Sequence, residues 1–229
     1  NASRKLSDYY EGQRLGEIWG FVCNGLFQNQ AEIDAAFGGK GYKNDIMQTS
    51  EKYITYPGDM RFEDLNGNDA IDRGSSTVDD PGDREIIGNS QPRFHYGTTL
   101  SMSWAGIDFS IFFQGIGRRH WYPKANTIAF WGPYARPYAS WIPKDFHEMY
   151  WSEENPDAYF PRPRGYVALS GTNRELTAVN DRYMQNIRYC RLKNLTIGYT
   201  LPKKWTRKVL IENLRVYFTG ENLATWSPI

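Results

Sequence analysis

Strict alternation of apolar and polar side chains over Phe94–Trp104 restricts this chain to few folds. In "FHYGTTLSMSW" apolar or β-branched residues alternate with mostly small polar ones, so a β-strand would put the two kinds on opposite faces. After the dipeptide Ala105-Gly106, "IDFSIFFQGI" repeats the pattern, as a second strand would after a tight turn. The sequence therefore predicts an antiparallel hairpin over residues 94–116.

A second pair of alternating segments lies near the end of the sequence. These are "LKNLTIGYTLP", in which Pro202 ends the strand, and "LRVYFTGENLATW". They predict another hairpin, within residues 187–226. Residues 117–186, between the hairpins, lack clear periodicity and are rich in Trp, Tyr, Pro, Arg and Gly, which is typical of a long functional loop.

Residues 1–93 are predicted to be mostly loop and strand ends, with one short helix. "NQAEIDAAFGG" offers Asn29 as the N-cap, Glu32 at the third helical position and Gly38 as the C-terminal stop. Residues 57–92 are rich in Gly, Asp, Asn and Ser, which is the chemistry of loops.

Charge and composition exclude some classes of protein. With 27 basic and 26 acidic residues, the chain has no electrostatic field suited to nucleic acid. No apolar run approaches the roughly 20 residues of a spanning helix, although the alternating strands of a membrane β-barrel escape this criterion. Cys23 and Cys190 match no metal or redox spacing and are interpreted as unpaired buried thiols, with a disulfide as the alternative.

Alternation alone does not distinguish a soluble sandwich from a membrane barrel. The strand lengths approach the roughly 9 to 11 residues that cross a bilayer, and the polar faces carry small residues suited to a wet lumen. Aromatic residues lie near strand ends, as they do in interfacial girdles: Phe94, Trp104, Tyr199, Trp205 and Trp226. We therefore expect an all-β chain with little helix, forming part of a transmembrane antiparallel β-barrel with long extracellular loops.

Several stretches together resemble one known family. They are "GEIWGFVCNGLFQNQAEIDA", "PGDMRFEDLNGNDAID", "IGNSQPRFHYGTTLSMSWAGIDFSIFFQGIG", "RYCRLKNLTIGYTLP" and "LRVYFTGENLATW". In this order they resemble the C-terminal barrel region of the SusC-like (RagA-like) TonB-dependent outer-membrane transporters of Bacteroidetes. They cover most of the chain outside residues 117–186.

The resemblance implies an importer of oligosaccharides or peptides in the outer membrane of a Gram-negative bacterium. Such a protein is a plugged barrel of about 22 strands, surrounded by membrane lipid, energised through TonB and paired with a SusD-like surface lipoprotein. The plug domain and the TonB-contacting segment are not in this sequence, which begins at Asn1 without Met or a signal peptide and is interpreted as an internal piece. TonB would act through the missing N-terminal part.

The stretch "EDLNGNDAID" has the spacing of a calcium loop. Its potential ligands are Asp64, Asn66, Asn68, the carbonyl of Ala70, and Asp72. The sixth position, normally Gly, is Asp69, and the twelfth, normally Glu, is Ser75. Downstream carboxylates, Asp79, Asp80 and Asp83, are further possible ligands. The alternative is an Asx-rich turn whose side chains bond their own backbone. Calcium is the one possible cofactor expected.

The long loop supplies the candidate substrate residues. They are Arg118, Trp121, Tyr122, Trp131, Tyr134, Arg136, Tyr138 and Trp141, and the same loop also holds Arg119, Arg162, Arg164 and Tyr166. Aromatic faces stack on sugar rings, and Arg bonds hydroxyls or peptide carbonyls, so the loop suits either class of cargo. The alternative is that these rings pack the loop onto itself and onto the lipoprotein partner.

No enzymatic activity is expected. His95, His120 and His147 show no metal spacing, and no serine-hydrolase or zinc-protease motif is present. Acidic pairs, Glu153 with Glu154 and Asp145 with Glu148, fit a solvated loop face as well as a glycosidase pair. The alternatives to an importer are a soluble carbohydrate-binding β-sandwich and a structural or adhesive surface protein.

Overall fold

The computed structural model describes residues 4–47, 54–135, 142–164 and 175–228. The described strands are β1 (Glu17–Phe21), β2 (Cys23–Leu26), β3 (Met60–Phe62), β4 (Arg84–Asn89), β5 (Phe94–Trp104), β6 (Ile107–Gly117), β7 (His120–Trp121), β8 (Gln185–Asn186), β9 (Tyr189–Thr200) and β10 (Arg215–Trp226). The described helices are α1 (Gln30–Gly39), α2 (Ile128–Trp131) and α3 (Lys203–Thr206), with 3₁₀ turns at Asp45–Met47, Gly132–Tyr134, Phe146–Glu148 and Arg207–Val209. The chain is thus mostly strand with little helix, as the sequence predicts.

The chain divides into two compact units. The loop unit comprises Asn1–Ser90 and Trp121–Gln185, and the sheet unit comprises Gln91–His120 and Asn186–Ile229. None of the helices in the described segments has the length and apolar character needed to cross a membrane.

The sheet unit is a four-stranded antiparallel sheet in the order β10-β9-β6-β5. β5 and β6 pair without a shift of register from Phe94 opposite Gly117 to Trp104 opposite Ile107. Ala105 and Gly106 join them with φ values of 50° and 84°, the two positive angles of a type I′ hairpin turn. The paired strands predicted from the alternation are therefore present.

A bulge in β9 keeps the faces of the sheet consistent. Asn194 lies opposite Phe112 of β6, but the next paired residues are Leu192 and Phe113, so Lys193 is an additional residue in β9. Without the bulge, Leu192 would point to the same face as Asn194. The alternation of the sequence did not predict this feature.

One face of the sheet carries large apolar side chains that are exposed. Directly opposite residues share a face in an antiparallel pair, so the register places β5 residues beside those of β6, β9 and β10. The exposed fractions are 55% for Leu100, 44% for Ile197 and 61% for Phe218. This apolar face also includes exposed side chains at Phe94, Tyr96, Met102, Trp104, Ile107, Tyr199, Val216 and Trp226.

The opposite face of the sheet is held by polar contacts between strands. The hydroxyls of Ser101 and Ser110 lie 3.1 Å apart, and those of Thr196 and Thr219 lie 3.0 Å apart. The guanidinium of Arg215 donates to the carboxylate of Asp108, with Nε 2.9 Å from Oδ1. This pair crosses over Gly198, where a Cβ atom would lie 2.5 Å from the Arg215 Nη2 atom.

The loop unit has its own hydrophobic core and two small antiparallel sheets. β1 pairs with β4, and β2 pairs with β3. The buried cluster consists of Phe21, Leu26, Ile46, Met60, Phe62, Ile71, Trp131, Tyr134, Phe160, Leu176, Ala178 and Tyr183. Burial on this scale is what allows a segment without regular periodicity to fold stably.

Helix α1 begins where the sequence predicts. The side chain of Asn29 accepts a hydrogen bond from the Glu32 amide at 2.9 Å, and the Glu32 carboxylate accepts from the Gln28 amide at 3.0 Å. Backbone angles leave the helical region at Ala36, and Phe37 is already left-handed, one residue before the predicted stop at Gly38.

The two cysteines are free, and each is partly rather than fully buried. The prediction that the two cysteines are unpaired is therefore confirmed, and they do not form a disulfide. Burial is the main cause that raises the pKa of Cys23 to about 12, which keeps it a thiol at neutral pH.

Candidate functional site

The structure places the candidate substrate residues in very different environments. Arg136, Tyr138 and Trp141, together with Tyr166, lie outside the described residues. Of the candidates that are described, Trp131 and Tyr134 are buried, with 0% and 2% of their surface exposed. Neither offers a ring face to a ligand in this conformation.

Trp131 and Tyr134 pack the loop unit. The Trp131 ring lies 5.3 Å from that of Tyr183 and 4.8 Å from that of Phe130, in edge-to-face arrangements. Its indole N–H donates to the Lys124 carbonyl at 3.0 Å. The hydroxyl of Tyr134 donates to the Pro161 carbonyl. These contacts match the alternative in which the rings hold the loop together.

Tyr122 also has a structural environment. Its hydroxyl lies 2.8 Å from the Leu176 carbonyl and 3.1 Å from the Ala178 carbonyl, and it accepts a hydrogen bond from Asn180 Nδ2 at 2.8 Å. Burial is the main cause that raises the pKa of Tyr122 well above its usual value. The phenol therefore stays neutral and ties residues 176–180 to Tyr122, the residue that follows β7.

Trp121 and Arg118 are the described candidates with accessible side chains. Trp121, in the loop unit, has 38% of its surface exposed. Arg118, in the sheet unit, is exposed. Each side chain can meet a ligand from solvent, which the buried rings cannot.

A buried charge cluster in the loop unit has no counterpart in the sequence predictions. Asp59 is 1% exposed, and its Oδ1 atom accepts from Arg162 Nε at 2.8 Å and from Arg164 Nε at 2.9 Å. Arg164 makes a second contact with Oδ2. Arg162 and Arg164, which the sequence shows only as further arginines of the aromatic loop, therefore neutralise a buried carboxylate. Their partner lies about a hundred positions away, and no local pattern reveals it.

Glu175 is the second carboxyl group of this cluster. It is 1% exposed, and its Oε1 atom accepts a hydrogen bond from the Met60 amide, whereas Oε2 has no hydrogen-bond partner among the described residues. Burial, followed by the charge of Asp59, raises the pKa of Glu175 to about 8. The side chain is therefore mostly protonated at neutral pH.

In the loop whose ligand spacing resembles a calcium site, the side chains form hydrogen bonds with the loop's own backbone. Asp64 Oδ1 accepts from the Gly67 amide at 2.6 Å, and its Oδ2 accepts from the Asp69 amide at 2.9 Å. Asn68 Oδ1 accepts from the Ala70 amide at 2.9 Å, and its Nδ2 donates to Asp72 Oδ2 at 2.6 Å. These are the contacts of an Asx-rich turn.

Asp83 is hydrogen-bonded to both ends of this loop. It is fully buried, and it accepts hydrogen bonds from the amides of Leu65 at 2.9 Å and Asp72 at 2.7 Å. Burial raises its pKa. Asp69, which replaces the usual glycine, forms an ion pair with Lys40. Across the described segments, no three His, Cys, Asp or Glu side chains are grouped so that they could hold a metal.

The acidic pairs considered for glycoside hydrolysis lie on exposed surface. Glu153, Glu154, Asp145 and Glu148 are all accessible to solvent. His147 lies 3.7 Å from Glu148 and is likewise exposed. The solvated-face interpretation therefore accounts for them.

Comparisons with known proteins give relatives over nearly the whole chain. The chain is 28% identical over 220 residues to TonB-dependent receptor P3 of Formosa agariphila, which is 95% of this chain and 18% of that protein. It is 25% identical over 225 residues to TonB-dependent receptor P26 of the same organism, covering 94% of this chain and 19% of that protein. This chain is similar in sequence to the TonB-dependent receptors. It spans less than a fifth of the length of these relatives.

Solved structures with the same fold carry names that agree with these relatives. The RagAB peptide importer in its "open-open" state matches 93% of this chain and 19% of its own, with a TM-score of 0.54 and 16% identity. The "closed-closed" state matches 96% of this chain and 20% of its own, with a TM-score of 0.51 and 16% identity. No protein-family model matches the chain. The resemblance recognised in the sequence is confirmed, and the names of these proteins describe receptors and importers rather than enzymes.

We expect calcium to have no effect on residues 64–83. Backbone amides already donate to the side-chain oxygens of Asp64, Asn68 and Asp83, and the described residues form no group of three carboxylates around a common point. Isothermal titration of the intact, detergent-solubilised protein with Ca²⁺ should show no heat of binding at millimolar metal. A saturable heat that disappears in Asp64→Ala would restore the calcium hypothesis.

We expect Glu175 to make the loop unit less stable as pH rises. A carboxyl group whose pKa is raised by folding binds its proton more tightly in the folded state. The contribution of Glu175 to the free energy of unfolding is therefore fully present below the unfolded pKa of 4.5 and decreases as the pH rises to about 8. The slope is at most about 1.4 kcal/mol per pH unit. Hydrogen exchange of the Met60 amide in the full-length protein, measured from pH 5 to 8, should report this after correction for intrinsic exchange rates.

The matched variant for this experiment is Glu175→Gln, which keeps an acceptor for the Met60 amide but does not titrate. Its protection should not follow the same pH dependence. An equal slope in both proteins would show that another group is responsible.

Proposed function

We propose that this chain is part of an outer-membrane importer energised through TonB, to which it contributes four strands of the barrel and two extracellular loops. The observation that carries the proposal is the sheet unit, whose strands β5, β6, β9 and β10 have 11 or 12 residues, one exposed apolar face and one polar face. Strands of about this length cross a bilayer at a tilt. An apolar face in contact with lipid and a polar face toward a wet lumen are the two environments that a barrel provides.

The exposure of the apolar face favours the barrel over the soluble sandwich. A sandwich covers the apolar face of each sheet with a second sheet. Here Leu100, Met102 and Phe218 are each more than half exposed, which in water would be a large unfavourable apolar surface. Lipid removes that cost without a second sheet.

In this proposal residues 94–116 and 187–226 are membrane hairpins, residues 117–186 are a long extracellular loop, and residues 1–93 are mostly loop and strand ends. The loop unit supports this division because it is a separately packed unit made largely of the two loop segments. The end of β6 and the start of β9, which border residues 117–186, then lie toward the external face of the cell.

The partners follow from the relatives. TonB-dependent receptors are named for TonB, and the structural neighbours are named as the RagAB peptide importer. We propose that this chain's parent protein likewise pairs with a SusD-like surface lipoprotein and imports a peptide or an oligosaccharide. Trp121 is the described candidate best placed to stack on such a cargo, because its ring is accessible.

Membrane extraction tests the importer against the sandwich. The native full-length protein should sediment with the outer membrane and require detergent for release. Release into the soluble fraction by a high-pH wash alone would contradict the proposal.

A pair of neighbouring substitutions tests the orientation of the sheet. Leu100→Arg places a charge on the apolar face, where it costs about 2 to 4 kcal/mol at the bilayer midplane. Ser101→Arg places the same charge on the polar face and should be tolerated. The amount of folded, heat-modifiable barrel in the outer membrane should therefore fall for the first variant and not for the second. Equal effects would argue against this orientation.

A second pair of substitutions tests the assignment of the aromatic residues. Trp121→Ala should weaken cargo uptake by about fivefold, the equivalent of roughly 1 kcal/mol of stacking, without loosening the loop unit. Trp131→Ala should instead destabilise the loop unit by about 3 to 5 kcal/mol through a cavity in its core. Uptake of labelled cargo and hydrogen exchange in the same variants separate the two effects. Unchanged uptake in Trp121→Ala would remove this residue from the substrate site.

A further inference from the structure

One row of residues across the sheet unit forms a groove on its apolar face. Tyr96 lies opposite Gly115, Gly115 opposite Cys190, and Cys190 opposite Trp226, so the four positions form one line across the strands. Two large rings thus flank two small residues. Three of the four, Tyr96, Cys190 and Trp226, line a groove of about 360 Å³ together with Arg188, Tyr189, Ser227 and Pro228, while Gly115 lies under the Tyr96 ring.

The floor of this groove is fixed by the close approach of Tyr96 to Gly115. A Cβ atom at Gly115 would lie 2.3 Å from the Tyr96 ring, so only glycine allows the ring to lie across β6. The Tyr96 hydroxyl donates to the Tyr189 carbonyl of β9 at 3.1 Å. The ring is therefore held flat over the strands and presents an aromatic surface to the groove.

Arg188 lies at the mouth of the groove with its side chain exposed. Its backbone is anchored twice, because its amide donates to Asn186 Oδ1 at 3.3 Å and its carbonyl accepts from Ser227 Oγ at 3.1 Å. Within the described part of the chain, its guanidinium has no ion pair or hydrogen bond.

Two neighbouring arginines of the sheet unit have partners. Arg191 bonds the Thr225 hydroxyl at 3.2 Å, and Arg215 pairs with Asp108. Arg188 is therefore a cation placed beside apolar and aromatic surface without an acid to neutralise it.

We propose that this groove binds one phosphate-bearing lipid of the outer leaflet, with its phosphate on Arg188 and part of an acyl chain on the rings of Tyr96 and Trp226. The inference rests on the membrane orientation proposed above, which puts this end of the strands at the extracellular side of the bilayer. The planar guanidinium matches the geometry of a phosphate, and the rings suit a hydrocarbon chain at the membrane interface. The groove is continuous with the apolar face, so a lipid can enter from the bilayer.

The experiment compares two lipids that differ only in the phosphate. The full-length transporter is purified, stripped of lipid and incubated with phosphatidic acid or with diacylglycerol of the same acyl chains, and retained lipid is counted by native mass spectrometry. Phosphatidic acid should be retained, and Arg188→Ala should weaken its retention by about tenfold or more, the size expected for a hydrogen-bonded charge. Diacylglycerol should be retained weakly and equally by both proteins.

Arg207→Ala is the matched control, because Arg207 is exposed on the connection at the other end of β9. It should behave as the unmodified protein, and Arg188→Lys should keep most of the retention. Equal retention of phosphatidic acid by the unmodified and Arg188→Ala proteins would overturn the lipid site. Complete competition by millimolar inorganic phosphate would also overturn it, in favour of a site for a free anion.

Cargo uptake and extraction distinguish this inference from the proposed function. If the protein requires detergent and imports cargo but shows no preference for phosphatidic acid, only the lipid site fails. If the protein is released without detergent, the membrane orientation fails and the lipid site fails with it.

Discussion

Backbone hydrogen bonding across β5, β6, β9 and β10 is the constraint on which the sheet unit depends. Every interior strand must find a partner on both sides, and β6 finds its second partner in β9, which lies beyond the whole 118–188 segment. The segment must therefore leave and return at the same place. The Ile187 amide, which donates to the Arg119 carbonyl at 2.8 Å, keeps the two ends side by side.

Because its two ends are close together, the segment between β6 and β9 can form a separately packed unit. In the loop unit this takes the form of a core rich in aromatic rings and a buried carboxylate held by two arginines. The rings of Trp131, Phe160 and Tyr183 contact one another, so removing one affects the packing of the others. The aromatic content that sequence alone connects with binding is, at these positions, what stabilises the loop.

The strands and the helix start could be predicted because their signals are local. Alternation over 94–104 and the Asn29 cap depend on neighbours within a few positions, and the structure has both. Which aromatic rings are buried could not be predicted from aromatic content, since Trp121 and Trp131 lie in the same aromatic-rich segment but have 38% and 0% exposure. The Asp59 cluster could not be predicted either, because burial and pairing over such separations are set by tertiary packing.

The additional residue Lys193 has a consequence for how related sequences are compared. Tyr199 lies on the apolar face, and counting every second residue back from it assigns Arg191 and Tyr189 to that face as well. The register instead puts Leu192 and Cys190 there. An alignment that ignores whether a homologue has this additional residue would assign every earlier position of the strand to the wrong face of the sheet. The length of this strand, rather than its composition, is therefore the quantity to align before any residue is declared lumenal or lipid-facing.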